Sequence, residues 1–384
     1  MRNVAVLVTV ALSTAASQSF GRFTYAVLLT DIRDELGLSN TLAGSLGSAN
    51  LAAYLVGTLV VSLVLGRRGL VTVARFGLGG VAVGLGALAW SPNAAVVTGG
   101  LLLTGFAASG VWITAPALAA AELSAERRGV AIGMVGAGLG IGIILAAWFD
   151  HLVSWRGVYR LEALLTVVTL VLLVSLVGSL PVSTTPTSGL ATIRGIPGWK
   201  PLLGLYGLFA LGMSLVMTFT VALLEDDAGY SPSRAAFAFS LIGVATLAGG
   251  PLAGMVADRY GRRTALGVAF ALMAVSASII ATGHRPGATI AAFGFGLAFT
   301  AVPVAVSARI VDFAQGEDFG AAFGVATLAF GLGLMIGPQL GGALSDASGS
   351  FRAAFAVAVV AALGGAACTR AATEVPSGAG TVSP

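Results

Sequence analysis

The polar positions of this chain do not alternate with apolar ones at a strand period, nor do they mark one face of amphipathic helices. They fall between long apolar runs. A helix crossing the hydrocarbon core needs about 20 mostly apolar residues. Runs of that kind, separated by charged or Pro/Gly-rich breaks, predict twelve spans: 4–29, 41–65, 71–90, 94–120, 130–149, 157–180, 201–224, 235–256, 264–282, 288–310, 320–344 and 351–372. Most connections are short, such as Trp90 to Asn93 and Ser345 to Ser350. The longest, Pro181 to Lys200, is rich in Pro, Ser, Thr and Gly and leaves six spans on each side. The pattern therefore predicts an all-α integral membrane fold of two six-helix halves. The expected division is a first half at 1–180, a cytoplasmic linker at 181–200, a second half at 201–372 and a cytoplasmic tail at 373–384. The opening run, Arg2 followed by Val4–Leu12 and small residues, could be read as a signal peptide. Its apolar character persists to Leu29, beyond an ordinary signal core, so a retained helix is expected.

Composition agrees with lipid as the main solvent. Hydrophobic residues make up 57% of the chain and charged residues 9%, against about 25% charged in an ordinary globular protein. The mean hydropathy is +0.96. A net charge of +4 is too small for a large nucleic-acid footprint, and its placement carries the information. With both termini inside, 13 Lys and Arg residues collect on the cytoplasmic side and 6 on the other, with Arg22 inside a span. The positive-inside rule then predicts cytoplasmic termini. One Lys against nineteen Arg is a composition expected of a G+C-rich prokaryote, and the expected location is its cytoplasmic membrane. The single cysteine, Cys368, excludes an intrachain disulfide and a cysteine metal cluster. A membrane enzyme would need a nucleophile, metal ligands or an acid–base pair at depth, but His151 and His284 fall in predicted outer loops. Neither enzyme, cofactor nor metal is expected. A receptor would share the spans and bind a ligand without moving it.

The halves repeat. Span four contains Val111-Trp112-Ile113-Thr114-Ala115-Pro116 and span ten Ala298-Phe299-Thr300-Ala301-Val302-Pro303. Each is followed by a polar turn and a glycine-rich span, Arg128-Gly129-Val130-Ala131-Ile132-Gly133 against Phe319-Gly320-Ala321-Ala322-Phe323-Gly324. The next outer loops end in Trp155-Arg156 and Phe351-Arg352. Chance similarity between apolar segments is the competing explanation. A six-plus-six repeat is the build of secondary transporters that rock two halves about a midplane site.

Between spans eight and nine stands Gly254-Met255-Val256-Ala257-Asp258-Arg259-Tyr260-Gly261-Arg262-Arg263. This pattern, with twelve spans and a central linker, resembles the major facilitator superfamily over essentially the whole chain. The residues suit a turn on the positive side. Gly254 would permit close helix approach, Asp258 sits at a helix end, Gly261 permits a tight turn, and Arg259, Arg262 and Arg263 hold the cytoplasmic face. The resemblance implies that they latch that face in the outward-facing state. The competing reading is a plain topology signal. In the first half Gly66-Arg67-Arg68 aligns with Gly261-Arg262-Arg263, with Leu63 in place of Asp258 and Leu59 in place of Gly254. The span-four arginine of many proton-coupled members is leucine here, Leu101. The Gly-Pro element typical of span five in exporters stands instead in span eleven, as Gly337-Pro338 followed by Gly341-Gly342.

An ionisable residue inside a span costs about 2.5–3.5 kcal/mol on insertion scales and is a functional hypothesis by default. Arg22, in Ser19-Phe20-Gly21-Arg22-Phe23-Thr24-Tyr25, lies nine residues before Asp31, about 13 Å below the outer loop. The Gly-Arg-Phe-x-Tyr run resembles a poorly characterised prokaryotic branch of the superfamily. Gln18 and Tyr25 share the face of Arg22, and Asn50 and Tyr54 in span two could complete the polar side of a cavity. The guanidinium fork suits a carboxylate. Alternatively, Arg22 pairs with Asp150 or Glu162, or satisfies carbonyls at a helix break. Tyr206, Phe209, Met213, Met217 and Thr220 in span seven, with Phe295, Phe299 and Thr300 in span ten, form stripes that could face lipid, core or cavity. Arg309 is expected to be structural, neutralised by Asp312. Glu162 is expected at the outer end of span six, because Arg160 stands beside it, so no membrane carboxylate for proton coupling is visible. The expectation is a monomeric secondary active transporter of a small organic solute, anionic or carboxylate-bearing, working by alternating access with a coupling proton as a candidate partner. The runner-up is a broad-specificity drug or metabolite exporter acting as a proton antiporter.

Overall fold

The computed structural model describes residues 2–121, 128–178, 189–313 and 317–373. These form twelve long helices without a strand among the described residues. The first, α1, passes through four segments: an α-helix Arg2–Thr14, a π-helix Ala15–Phe23, a short turn Thr24–Val27 and a polar end Leu29–Leu36. The first half continues with α2 (Asn40–Arg68), α3 (Leu70–Ala89), α4 (Ala94–Ala121), α5 (Arg128–Asp150) and α6 (Trp155–Leu176). A short helix, Gly189–Arg194, precedes α7 (Trp199–Ala222), which ends in a π-helical turn, Leu223–Asp227. Then come α8 (Pro232–Tyr260), α9 (Arg262–Thr282), α10 (Gly287–Val311), α11 (Glu317–Ser348) and α12 (Arg352–Thr373). Eleven of the helices are long and apolar enough to cross a membrane, and α5 adds the shorter apolar stretch Gly136–Asp150. The fold is that of an integral membrane protein whose exposed apolar side chains, such as Phe76, Ile290 and Val360, have lipid as solvent.

The helices pack in two matching sets. In the first, α2 packs on α4, α3 on α4 and α6, and α1 on α5. In the second, α8 packs on α10, α9 on α10 and α12, and α7 on α11. The sequence repeat recurs in atomic detail. Trp155 and Phe351 are both buried at the start of a sixth helix. The arginine after each bonds a carbonyl at the end of the third helix of its own set: Arg156 Nε to Ser91 at 3.0 Å, Arg352 Nε to Ala281 at 3.1 Å. Gly69 (φ 78°, ψ 157°) and Gly261 (φ 86°, ψ 158°) open α3 and α9 in the same left-handed geometry. This corrects the register read from the arginines: Gly69, and not Gly66, is the equivalent of Gly261. Arg67 and Arg68 therefore precede their turn glycine, while Arg262 and Arg263 follow theirs.

Two seams join the sets, α2 against α11 and α5 against α8. Both need small residues. A Cβ at Gly44 would strike the Pro338 carbonyl, and one at Gly140 would stand 2.6 Å from the Gly243 carbonyl. The displaced Gly-Pro element of α11 thus packs directly against α2. The face carrying the loops after Leu36 and Ser348, opposite the termini, is also tied by polar groups. Arg33 Nη1 donates to Asp226 at 2.5 Å, and Asp346 accepts from the Asn40 and Thr41 amides at 3.0 and 2.7 Å. Asp346 therefore caps the N-terminus of a helix in the other set, where the dipole favours an anion. On the same face, the Arg156 guanidinium and the Trp155 N–H hold Glu35 below the usual carboxylate range.

Candidate functional site

The π-helical stretch of α1 widens the backbone turn, a feature frequent at functional sites. It positions Arg22, whose Nη1 donates to Gln18 Oε1 at 2.7 Å. The guanidinium carbon stands 4.4 Å from the Tyr54 ring centroid and 5.4 Å from that of Phe23. These are cation–π distances, and they hold the group without neutralising it. Arg22 Nε and Gln18 Nε2 are buried with no hydrogen-bond partner. No ion pair joins Arg22 to Asp150 or Glu162 among the described residues, so the salt-bridge explanation of this arginine does not hold. Burial of donors with nothing to donate to is costly, and it points to a group that arrives from elsewhere.

Arg22 borders a small cavity of ≈ 30 Å³ with Phe23, Tyr25, Asn50, Met213 and Met217. That is room for about one water, far less than the roughly 300 Å³ or more of a solute pocket. Both sets contribute to the wall, and Phe23 also meets Phe299 of α10 edge-to-face at 6.1 Å; Phe299 itself does not line the cavity. Ser214, Thr218 and Leu334 also line it. Ser214 and Thr218 are not singled out by sequence, where the aromatic and Met stripe is the stronger signal in α7.

Several anticipated residues do other work. Asn50 Nδ2 donates to the carbonyls of Gly21 (2.9 Å) and Leu101 (2.7 Å) and lies 3.1 Å from Thr104 Oγ1, so its amide ties α2 to α1 and α4. The Tyr25 hydroxyl is held by the Ala43 carbonyl at 2.7 Å. Tyr206 stacks with Phe209 and Phe330, at centroid distances of 6.1 and 4.9 Å, away from the cavity wall. The Thr220 hydroxyl is used within α7 on the Val216 carbonyl. Arg309 is structural, with Asp312 acting on it through its charge and two carbonyls through hydrogen bonds. Its Nε and Nη2 reach the Ala372 and Pro197 carbonyls at 3.2 and 3.4 Å, while Asp312 sits 3.7 Å from Arg262.

Glu162 departs from expectation in its burial, not in the end of α6 it occupies. It is fully buried, seven residues into α6 and about 10 Å from its start. Arg160 lies two residues away but about 200° around the helix, exposed beside Trp90 at 5.7 Å. Its exposure says nothing about the depth of Glu162.

With this geometry in view, comparison with known proteins is informative. A family model described as "Uncharacterised MFS-type transporter YbfB" matches residues 15–369. The chain belongs to this major facilitator superfamily family. It is a multi-pass membrane transporter and not an enzyme. It is 28% identical over 356 residues to the uncharacterized MFS-type transporter YfhI of Bacillus subtilis (strain 168), covering 88% of this chain and 87% of that one. It is also 27% identical over 351 residues to the transcription regulatory protein OpdE of Pseudomonas aeruginosa (strain PAO1), covering 87% and 85%. Among solved structures, a point mutant of the nucleoside transporter NupG superposes with a TM-score of 0.80 at 11% identity, over 97% of this chain and 100% of that one. A bacterial homologue of the human lysosomal transporter Spinster, in an inward-facing and unoccupied conformation, gives 0.77 at 14% identity, over 96% and 97%. These two likenesses concern the fold.

The superfamily's loop motif lies where α8 turns into α9. Arg259 and Arg263 are exposed, Arg259 within 5.5 Å of the Tyr260 ring, and Arg262 is partly buried near Asp312. Gly254 departs from expectation: a Cβ there would meet nothing within 4 Å, so no helix crowds it in this conformation. The Asp258 side chain, the Thr185–Thr187 region and the tail after Thr373 lie outside the described residues.

Proposed function

We infer that this protein is a secondary active transporter that moves a small organic anion, carboxylate-bearing, across the cytoplasmic membrane of a prokaryote by alternating access. One observation carries the reading: Arg22, on a π-helical stretch between the two helix sets, has a buried donor, Nε, without a partner and, among the described residues, no carboxylate paired with it. A substrate carboxylate supplies both, with two charge-assisted hydrogen bonds to a planar fork. Phe23, Met213, Met217 and Leu334 around it suit an apolar body behind that carboxylate. The same apolar wall favours the second reading, a broad-specificity exporter, but a cationic drug would meet the arginine's repulsion.

The two six-helix bodies, with the linker between them, are the parts that rock. Cytoplasmic termini, argued from the arginine distribution, make the face tied by Arg33–Asp226 and Asp346 the outer one. The conformation is then inward-facing, and the motif from Gly254 to Arg263 is the latch that forms when the cytoplasmic side closes. The open space around Gly254 supports that assignment. The test is a thermal-stability screen of purified protein against small carboxylic acids, amino acids, sugars, nucleosides and amines. Ligand binding to one state raises its Tm by mass action. Acids are expected to stabilise and amines not to; stabilisation by amines alone contradicts the assignment.

A further inference from the structure

The transport reading of Arg22 makes no use of Glu162, the one acidic side chain that is fully buried in this bundle among the described residues. Its Oε1 is 2.6 Å from Thr24 Oγ1, and its Oε2 has no hydrogen-bond partner. Helices α1, α3 and α5 pack against α6, and the charged groups on each are occupied elsewhere or distant along the chain. On α1, Arg22 is turned to Gln18 and Tyr54, and the Tyr25 hydroxyl is held by Ala43. On α3, Arg75 bonds the Val174 and Val177 carbonyls near the far end of α6. On α5, Asp150 is the last residue and is itself an acid, so it supplies no cation. On α6 itself, Tyr159 is buried with an unpartnered hydroxyl and Arg160 is exposed. Among the described residues, no cation pairs with the carboxylate. A lone ionised carboxylate with a bare oxygen in such surroundings is strongly disfavoured, and protonation is the ordinary relief.

The local hydrogen bonds accommodate a proton. Thr24 Oγ1 has one hydrogen and two oxygen neighbours, Glu162 Oε1 at 2.6 Å and the Ser19 carbonyl at 3.4 Å. When Glu162 is protonated, its O–H donates to Thr24 Oγ1 and the threonine hydrogen turns to Ser19. When the proton leaves to water, the threonine hydrogen must turn back to Oε1, and Oε2 stays bare. Ser19 sits in the π-helical stretch, and Thr24 is the first residue after it. The stretch of α1 that presents Arg22 to the cavity therefore also caps Glu162.

We propose that Glu162 is a proton-binding site of this transporter, loaded in the conformation described here, with Thr24 as its hydrogen-bond partner. The site stands apart from the carboxylate reading of Arg22, since its test needs no solute. Infrared difference titration of the purified full chain in lipid nanodiscs, between about pH 5 and about pH 8, reads the carboxylic-acid C=O stretch directly. The wild type is expected to show a protonated-carboxyl band that survives at neutral pH. Glu162→Gln is expected to remain folded, because Gln mimics the neutral acid, and to lack that band. Thr24→Val is expected to keep the band at a shifted frequency. A wild-type spectrum containing no carboxylic-acid band that is lost in Glu162→Gln overturns the site. A Glu162→Gln protein that fails to fold also overturns it, since the native group would then have to be ionised. An unshifted band in Thr24→Val removes Thr24 from it.

Discussion

Two polar residues of the spans that sequence logic groups together, Arg22 and Asn50, have opposite kinds of environment. Asn50 has its donors used on fixed acceptors of α1 and α4, whereas Arg22 keeps its Nε donor in reserve. Asn50→Leu leaves the Gly21 and Leu101 carbonyls without that donor. It is expected to cost about 1–3 kcal/mol of stability, seen as a lower Tm, while the Tm increment from a stabilising acid survives. A normal Tm with a lost increment would instead make Asn50 a binding residue. The same contrast shows what is legible at this scale. A charge inside an apolar run marks Arg22 at once. Whether a neighbouring amide faces a cavity or a carbonyl depends on the π-helical backbone of α1, which no local pattern announces. Glu162 eludes a reading from its neighbour Arg160 for a similar reason. Two positions apart in a helix, the two side chains face nearly opposite sides.

For helices the sequence is more informative. Hydropathy locates all twelve, because the cost of bare backbone in lipid forces long apolar helices. It misses their ends: α1 continues through the polar Leu29–Leu36, and α11 runs from Glu317 to Ser348, since polar turns outside the apolar core carry no hydropathy signal. The seam between α2 and α11 is visible in sequence only as glycines without an assigned neighbour. Its close approach at Gly44 and Pro338 makes a direct prediction. Gly44→Val is expected to hold the two helices apart and disfavour closure of the face opposite the termini. Spin labels at positions 42 and 347, both exposed and with Cys368 replaced by Ser, should show a longer distance distribution in the variant. An unchanged distribution would mean that the seam is not a closing surface.

At the scale of the whole molecule, the internal repeat proves deeper than its motifs. The aromatic–arginine pairs at the start of α6 and α12 and the left-handed glycines before α3 and α9 match in geometry, although the arginines around the latter pair do not match in register. On the proposed alternating-access reading, that asymmetry favours the loop between α8 and α9 as the latch for the face carrying the termini. Asp258→Asn is accordingly expected to insert and fold with a wild-type Tm but to lose most transport in proteoliposomes loaded with a stabilising acid. Full transport by a well-folded variant reduces the motif to a topology signal.

The claim on which the rest depends is that Arg22 awaits a carboxylate. Comparing the Tm of wild type, Arg22→Lys and Arg22→Gln, each with and without the acids that stabilise the wild type, addresses it in one experiment. Without ligand the three proteins should melt close together, because no buried ion pair is broken. With acid, Lys should keep a reduced increment, since it retains the charge but not the fork, and Gln should lose it. A structural arginine would give the reverse, an unliganded Arg22→Gln destabilised by about 3–5 kcal/mol, as when a buried pair is broken. An Arg22→Gln protein with normal Tm and an undiminished acid response would contradict the assignment outright.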